Sequence, residues 1–554
     1  MISMLLVLII LTAINLFAHE NLNCQKNWDS LYTAFLRIKN FLGSEYDHFL
    51  TDKKCGFSLI NSIKLNLTQF TDDKSRLAQS LLTRPVMQKS VVTPSGKFRI
   101  HFDTTGVNAI QYSLEELIKA VDSSYNFVCL RMGFPAPPSD FGNGGDILYD
   151  FYIMNVYPLY GYTEFETPLG NNRYTSFIVI DNSFHEDDYY TKGIDAARVT
   201  VVHEFHHAIQ LGNYGFRETD AWFYELTSTS MEEFVFDSVN DYYFYLSDFF
   251  RRTDKIFTAH NGYSQAIWNI YLAKIFENDY SIFVHQWELM KNYPALECIK
   301  KSIESRGKSF RSVFARFFLY NYYTSWRAKP EEYYEEGRYY PEVYIRMKIN
   351  FRIPERSITG NSQPCAAQYI MIVDSVLNYP LPSDSILLIL VNVNVDSALN
   401  WSNSSSAFQY NYKITNSFFS SYKKISKNLY GKLEVNDPTN WLELYVVNDT
   451  SEVKIISSQK LNLAFPMPVN FSKGKSLRIP IPPDWKGTTQ LLILTSSLDV
   501  VYRSEKVIEF FEDKLIVSWD GKTSSKEIVA SGVYYFLLTY DNKKHIGKIV
   551  VLNE

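Results

Sequence analysis

The sequence lacks an excess of charge of either sign: 55 lysine and arginine residues stand against 60 aspartate and glutamate residues, for a formal net charge of -5. A chain this close to neutral gives no reason to expect a nucleic-acid partner or an anionic membrane surface. After residue 18, no stretch approaches the roughly 20 consecutive apolar residues of a transmembrane helix. We therefore expect no membrane span in the mature chain.

Cysteine is scarce, with five residues in 554, and no two of them form a CxxC pair. A zinc site built from several thiolates is therefore not expected. Cys24 and Cys55 are the two cysteines nearest to each other in sequence, and an exported chain could join them in a disulfide.

The N-terminus carries an apolar run, residues 4–17, that is too short to span a bilayer and is typical of the core of a signal peptide. Ala18 offers a small residue for cleavage, although Leu16 is larger than usual at its position and no basic residue precedes the run. We predict a signal peptide at 1–18 and a secreted or cell-surface location, with an uncleaved anchor as the alternative.

The composition, 46% hydrophobic and 21% charged, excludes a chain disordered along its length and leaves room for several domains. Residues 19–92 read as a helical lead-in or propeptide-like segment, and linker signals cover 73–95. In 93–350, strands precede helices, which predicts an α+β domain. Strand-like runs at 351–460 and 461–554 predict two β-sandwich, Ig-like modules, so the predicted fold class is multidomain.

Within 93–350, hydrophobic periodicity predicts a set of helices and strands. The predicted strands are 97–102, 146–156 and 174–181, and the predicted helices are 113–134, 194–212, 219–236, 262–277, 281–291 and 296–327.

The segment VVHEFHHAIQ, in the predicted helix 194–212, contains an HExxH motif formed by His203, Glu204 and His207. A helix turns about 100° per residue, so the two histidines stand about 40° apart on one face and can reach one zinc ion. Glu204 flanks that face, where it can serve as the general base for a zinc-activated water. HExxH also occurs by chance on ordinary helices, so the motif alone leaves a structural role open.

His206 is a rival partner for His203, three residues away on the same helix. That pair would centre the ion farther from Glu204 than the pair with His207 does. We therefore prefer His207 as the ligand and expect His206 in the wall of the site.

A catalytic zinc site usually has three protein ligands and one open position. Glu225, which lies 18 residues after His207 on the next predicted helix, is the candidate third ligand, with Glu232 and Glu233 as rivals. No HxxGxxH extension follows His207, so a third histidine in the metzincin arrangement is absent. The predicted strand at 174–181 could act as an edge strand that pairs with an extended peptide.

HEFHHAIQ, the WxxE-x-T segment from Trp222 to Thr227 and the MEE that follows resemble the gluzincin zinc metallopeptidases. A closer resemblance is to a family of secreted bacterial metalloproteases that show FRIHYDTTG, YDVYI, YGYT, SYIVVDN and HEFFHAIQ in order. The matching stretches here are FRIHFDTTG (98–106), YDFYI (149–153), YGYT (160–163), SFIVIDN (176–182) and HEFHHAIQ (203–210).

This resemblance covers roughly residues 50–350 and implies Zn²⁺ as cofactor. It also implies His203, His207 and Glu225 as ligands and Glu204 as base. His206 stands where the family commonly has phenylalanine, which leaves the metal site intact but leaves open which histidine binds.

Gluzincins commonly supply a tyrosine or histidine after the third ligand to stabilise the oxyanion, a role that His260 or Tyr263 could take here. Tyr263 is the predicted catalytic residue of the two, although a structural role for a tyrosine is a strong alternative in a chain with 40 of them. Cys55 and Gly56 in the lead-in could cap the zinc ion as a thiolate in a latent form, with a structural disulfide of Cys55 as the alternative.

The C-terminal stretch 519–552 resembles the Ig-like modules that end many secreted bacterial proteins, some of which are sorting signals for an outer-membrane secretion system. A plain edge hairpin of a sandwich is the alternative.

The sequence thus predicts a secreted zinc-dependent endopeptidase with a protein or peptide substrate and a possible contact with secretion machinery. The alternatives are a zinc exopeptidase on the same core and a cell-surface binding protein whose peptidase domain is inactive.

Overall fold

A computed structural model describes thirteen stretches of the chain: residues 28–39, 54–350, 358–373, 386–400, 410–414, 442–448, 453–457, 464, 466, 468–482, 485–511, 514–541 and 543–553. The predicted signal peptide, Cys24 and much of the predicted module at 351–460 lie outside these residues. The chain divides into two compact units. The first is Met1–Arg252, Phe257–Ile299 and Tyr323–Glu342, and the second is Thr253–Ile256, Lys300–Tyr322 and Val343–Glu554.

The first unit contains a five-stranded mixed sheet in the order β1-β2-β3-β5-β4. Its strands are β1 (Lys89–Val92), β2 (Phe98–Phe102), β3 (Tyr149–Ile153), β4 (Gly161–Gly170) and β5 (Arg173–Ile180). Strands β2, β3 and β5 run parallel, whereas β1 and β4 pair antiparallel at the two edges. Every residue of β3 is buried, as expected for a central strand covered on both faces.

Two expectations about this sheet are wrong. The strand at 174–181 is not an edge strand, because β5 lies between β3 and β4, and β4 forms the edge instead. The segment 73–95 is not a plain linker, because it contains most of helix α3 and all of β1.

Most of the helices after residue 93 lie close to predicted ones, but the helix at Tyr243–Arg251 has no predicted counterpart. The helices are α1 (Trp28–Ile38), α2 (Phe57–Leu65), α3 (Asp72–Leu81), α4 (Leu114–Tyr125), α5 (Gly193–Ile209), α6 (Ala221–Val235), α7 (Tyr243–Arg251), α8 (Ala266–Ile275), α9 (Ser281–Met290), α10 (Ala295–Glu304) and α11 (Phe310–Tyr322). The predicted helix 296–327 is two helices, since Gly307 between them has φ +73°, a conformation that ends a helix. Residues 300–322, which the sequence assigns to the peptidase domain, are grouped with the second unit.

Helix α5 carries the HExxH motif and is buried on nearly all sides, as its apolar residues around the whole circumference require. It packs on β4, β5, α4 and α6. The chain leaves the helix through a π turn at Gln210–Tyr214 and then Gly215, whose φ is +89°. These contacts fix the motif between the sheet and α6.

The second unit is rich in strands, and its first sheet has the order β12-β11-β9-β8-β6. The strands of this region are β6 (Ile345–Asn350), β7 (Ile358–Ser362), β8 (Ala366–Val373), β9 (Ile386–Asn392), β10 (Tyr410–Ile414), β11 (Leu442–Asn448) and β12 (Val453–Ser457). A short helix α12 (Val395–Leu399) follows β9, and β7 pairs with β10.

The C-terminal strands form two antiparallel sheets, β13-β17-β16 and β15-β14-β18-β19. They are β13 (Leu477–Pro480), β14 (Thr488–Thr495), β15 (Val500–Val507), β16 (Glu509–Phe511), β17 (Lys514–Trp519), β18 (Gly532–Tyr540) and β19 (Lys543–Val551). Buried side chains from both sheets, among them Ile479, Trp519 and Phe536, share one apolar core, which is the arrangement of a β-sandwich. The predicted closing hairpin is the β18–β19 pair.

Candidate metal centre

Helices α5 and α6 and the chain just before α2 bring four potential ligands together. One donor atom each from Cys55, His203, His207 and Glu225 lies within 4.8 Å of the others, and all four residues are buried. The structure therefore places the three predicted metal ligands in one cluster and adds Cys55 to it. Two of them come from one face of α5, as the i, i+4 spacing requires.

Three of the donor atoms are crowded together. His203 Nε2 lies 3.1 Å from His207 Nε2, and Glu225 Oε2 lies 3.2 Å from the first and 3.4 Å from the second. Such separations between acceptor atoms in a dry interior are unfavourable unless a cation or a proton lies between them.

On the far side of each ring, an oxygen acceptor lies within hydrogen-bond distance of Nδ1. His203 Nδ1 lies 2.8 Å from Glu232 Oε1, and His207 Nδ1 lies 2.7 Å from Gln210 Oε1. The Gln210 amide is oriented by its Nε2, which donates to the carbonyl of Tyr224. In the neutral form of each ring with Nδ1 as the donor, the lone pair lies on Nε2 and is directed at the common point.

The charges around the cluster also favour a bound cation. Burial lowers the pKa of His203, but hydrogen bonds with Glu225 and Glu232 outweigh burial and raise it to about 9. Burial raises the pKa of Glu225, but His207 and His203 beside it lower the value to about 2. Two imidazoles and a carboxylate with these partners fit a zinc ion, since ligating histidines usually donate their other nitrogen to an oxygen acceptor.

Glu204 lies beside the cluster at the start of the edge strand. Its Oε2 accepts a hydrogen bond of 2.7 Å from Thr163 Oγ1 of β4, and the Cys55 thiol also bonds to its carboxylate. Burial raises the pKa of that thiol, and the carboxylates of Glu204 and Glu225 raise it further. The predicted base is thus held by β4, an edge strand of the sheet.

Tyr263 reaches the same site, whereas His260 faces another part of the unit. The Tyr263 hydroxyl accepts a hydrogen bond of 3.3 Å from the backbone N–H of Cys55, and its ring lies against His203. His260 contacts Phe249 and lies 3.7 Å from Asp248. Of the two candidate oxyanion donors, Tyr263 is the one placed beside the donor set.

Gly262 allows this approach of Tyr263 to helix α6. Its φ is +92°, and a Cβ there would lie 2.3 Å from the Trp222 carbonyl oxygen and 2.6 Å from Glu225 Cβ. Only glycine fits both the left-handed conformation and the close contact.

His206 is turned away from the donor set. Its Nδ1 bonds to Ser228 Oγ and Gln210 Nε2, and its ring meets the edges of Phe134 and Trp287. Burial, followed by the neighbouring His207 and His203, lowers its pKa well below the usual value. His206 thus lies in the wall of the site, where the rotation of the helix predicts it.

The two rival third ligands have other contacts. Glu232 lies seven residues after Glu225, on the same face of α6, and bonds to the far side of His203. Its role as a hydrogen-bond partner of a ligand was not predicted, nor was that of Gln210, although i, i+3 spacing from His207 is a signal for it. Glu233 points to a separate group with Asp237 and Glu336.

Glu233 should make the stability of the first unit pH-dependent. Burial, then Glu336 and Asp237, raise its pKa from 4.5 to about 9. The folded chain therefore keeps a proton that the unfolded chain releases above pH 4.5, so this stabilisation is complete below pH 4.5 and is lost as the pH rises toward 9.

We expect the free energy of unfolding to fall by at least about 1 kcal/mol more in wild type than in Glu233→Gln between about pH 5 and pH 9. Urea unfolding at the two pH values measures this difference, with Glu288→Gln on exposed surface as the control. Parallel pH profiles for wild type and Glu233→Gln would contradict the assignment.

Within the described residues, Cys55 forms no disulfide bond. The expected partner Cys24 lies outside the described residues. The structure instead places the Cys55 thiol in the donor set, which is the position that the latent-form alternative requires.

Comparison with known proteins adds little to this picture. No protein-family model and no curated protein matches the chain. Similar solved structures include PorZ, an essential bacterial surface component of the type-IX secretion system of Porphyromonas gingivalis, and latent dimeric PorU from that organism.

The match to PorZ has 13% identity and a TM-score of 0.14, and it covers 30% of this chain and 29% of PorZ. The match to PorU has 9% identity and a TM-score of 0.15, and it covers 31% of this chain and 18% of PorU. The chain thus spans less than a third of either protein, and similarity this low carries no argument about fold or activity. No described helix is long and apolar enough to cross a membrane.

Proposed function

We propose that this chain is a secreted zinc-dependent endopeptidase whose first unit is a zincin-like domain. The observation that carries the proposal is the set of acceptor atoms of His203, His207 and Glu225, 3.1 to 3.4 Å apart and directed at one point. A general base lies next to that set, and an edge strand begins there. Export is part of the proposal and rests on the apolar run at residues 4–17.

The proposed reaction is the addition of water to a peptide carbonyl. Zinc, when bound by the three side chains, supplies Lewis acidity toward the water and the carbonyl oxygen. Glu204 takes a proton from the attacking water on a carboxylate oxygen and then gives it to the leaving amine nitrogen. Thr163 holds that carboxylate through its Oγ1, at 2.7 Å from Glu204 Oε2. The Tyr263 hydroxyl is the proposed donor to the carbonyl oxygen as negative charge develops on it.

The proposed substrate is an extended peptide that adds a strand to the edge of β4. A strand added at a sheet edge is held by backbone hydrogen bonds, which accept many sequences. The first residues of β4 lie beside Glu204, because Thr163 bonds both the backbone carbonyl and the carboxylate of that residue. A peptide paired there would pass along the donor set.

The C-terminal sandwich at 464–553 is proposed as the part of the chain that contacts secretion machinery. Its two sheets share a core of their own, which gives the module an independent folding nucleus.

The variant Glu225→Ala tests whether Glu225 binds the metal ion or is only a buried side chain in the core. We expect the zinc affinity of this variant to fall more than about 100-fold, because even loss of a hydrogen-bond partner of a ligand commonly costs 10 to 100-fold. Zinc titration of the metal-depleted full chain, in competition with a chromophoric chelator, measures the affinity. Glu288→Ala, on exposed surface, should bind as wild type. Full zinc binding by Glu225→Ala would remove that residue from the ligand set.

The peptidase activity itself is tested with a denatured protein as substrate, incubated with the zinc-loaded chain before and after limited proteolysis of that chain. Internal fragments are the expected products. Release of single terminal residues would support the exopeptidase alternative. Zinc binding without cleavage in either condition would favour the binding-protein alternative.

A further inference from the structure

The segment just before helix α2 lies along the edge strand where a substrate is proposed to pair. The N–H of Tyr160 donates to the Lys54 carbonyl at 2.9 Å, and the N–H of Gly56 donates to the Gly161 carbonyl at 2.9 Å. Cys55 and Gly161 form a parallel β-bridge between these two bonds. The chain itself therefore occupies the first positions at the edge of β4, and the Asn61 side chain of α2 bonds to the backbone of Thr163 and Phe165 beyond them.

The thiol in the middle of this segment stands in the donor set. Cys55 Sγ lies within 4.8 Å of the ligand atoms of His203, His207 and Glu225, and the N–H of Phe57 donates to it at 3.2 Å. Structural zinc sites have four protein ligands, whereas catalytic sites have three and keep one position open. With Cys55 in place the site has four donors and no open position.

The residues on either side of Cys55 fasten the segment to the site. Lys54 is buried, and its Nζ lies 2.6 Å from Glu232 Oε2 and 2.5 Å from Asp241 Oδ2. The ring of Phe57 stacks on His207 with centroids 4.0 Å apart, and Ser58 Oγ donates to Glu225 Oε1 at 3.2 Å. The contacts with His207 and Glu225 are with predicted ligands, and Glu232 bonds to the predicted ligand His203.

A side chain on Gly56 would be in tight contact with side chains of the edge-strand region. A Cβ on Gly56 would lie 2.8 Å from Leu159 Cδ1 and 3.1 Å from Tyr162 Cβ. The sequence Lys-Cys-Gly-Phe thus matches the site at four successive residues: an ion pair, a sulfur donor, a close backbone approach and an aromatic ring.

We infer that residues 54–58 form an internal inhibitor, in which Cys55 is a fourth metal ligand and the backbone of Lys54–Gly56 takes the place of a substrate strand. This inference rests on the proposed function. On release, the bond from sulfur to the metal breaks, the thiolate takes one proton from solvent, and the fourth position becomes open to water, with no change in oxidation state. The segment remains connected to the sheet through α3 and β1, so activation requires its displacement or a cut between α2 and β1.

Cobalt titration of the metal-depleted full chain tests the sulfur ligand without measuring activity. Co²⁺ bound by a thiolate gives a near-ultraviolet charge-transfer band, and Co²⁺ in a site of nitrogen and oxygen ligands gives only the weaker visible bands. We expect the band in wild type and in Cys129→Ser, a control free cysteine, and its loss in Cys55→Ser with the visible bands retained.

The outcomes separate the two claims. Cobalt uptake by wild type without the charge-transfer band, or an unchanged band in Cys55→Ser, would overturn the inhibitor and leave the metal centre standing. No cobalt uptake by wild type would overturn the proposed function and the inhibitor together.

A second variant tests the strand pairing while it keeps the thiol. We expect Gly56→Ala to raise the hydrolysis rate of a denatured protein at least tenfold over the zinc-loaded wild type, and to weaken the charge-transfer band. Gly532→Ala, at a strand glycine whose added Cβ would meet only Tyr534 at 3.7 Å, is the control and should change neither. A band and a rate equal to those of wild type in Gly56→Ala would contradict the inferred role of the segment.

Discussion

Glu204→Gln should lower the rate of peptide hydrolysis by about 10²- to 10⁴-fold and leave the zinc content unchanged. The amide has nearly the shape of the carboxylate, so the buried position beside Thr163 can still be filled. It cannot take a proton from the attacking water, which is the step assigned to this residue. Glu204 is not among the clustered donor atoms, so metal binding should survive.

The measurement compares initial rates on a denatured protein at matched zinc loading. Both chains should carry the Gly56→Ala change, so that the inferred inhibitor does not hide the difference. Glu116→Gln, on the surface of α4, should keep the full rate. A rate for Glu204→Gln within a factor of two of its parent would remove the base assignment.

Lys54→Met should destabilise the first unit by about 3–5 kcal/mol, the usual cost of removing one partner from a buried ion pair. The side chains of Glu232 and Asp241 are fully buried, and Lys54 is the cation that lies between them. Burial would lower the pKa of Lys54, but Asp241 and Glu232 raise it above its usual range, so the lysine remains charged. Loss of the lysine charge leaves the carboxylates of Glu232 and Asp241 buried without a cation, next to the hydrogen bond between Glu232 and His203.

Urea unfolding followed through hydrogen exchange of the α5 amides measures this loss within the first unit. Lys119→Met, which breaks an exposed pair with Glu115 and Glu116, should cost less than about 1 kcal/mol. Adding Asp241→Leu to Lys54→Met should restore part of the stability, because one uncompensated charge is removed. A loss of unfolding free energy in Lys54→Met as small as that in Lys119→Met would contradict the assignment of Lys54 to a buried ion pair with Glu232 and Asp241.

The clustering of the proposed metal ligands could be predicted because part of its geometry is local. Residues i and i+4 share a helix face in any fold, which places His203 and His207 together before the tertiary structure is known. Glu225 required the further step that the next helix packs against the first. The i, i+7 relation of Glu225 and Glu232 carried a usable signal that both face α5, where each contacts one ring nitrogen of His203.

The contacts of the lead-in could not be predicted in the same way, because they join residues far apart in sequence. Lys54 and Glu232 are 178 residues apart, and no local periodicity reports such a pair. The position of the Cys55 thiol in the donor set likewise depends on where residues 54–58 lie along β4. Only the residue types, a cysteine followed by glycine, suggested a thiolate cap.

Local sequence patterns do not determine the order of strands in a sheet. The apolar run in β5 was nevertheless a signal against an edge position. The run FIVI in β5 is continuously apolar, which is typical of a strand buried between neighbours. An edge strand is expected to carry more polar residues, as β4 does from Glu166 onward. The strand proposed to pair with a substrate is therefore β4 and not β5, whereas the proposed metal ligands are the same.

The central claim is that His203, His207 and Glu225 hold one zinc ion. Elemental analysis of the full chain after dialysis against buffered zinc tests it most directly, with His203→Ala/His207→Ala measured alongside. The predicted result is one zinc per wild-type chain and less than about a tenth of that in the double variant. Only Glu225 and Cys55 remain in the donor set of that variant, fewer than the three protein ligands of a usual zinc site. A wild-type chain without zinc, or a double variant that keeps it, would contradict the metal centre.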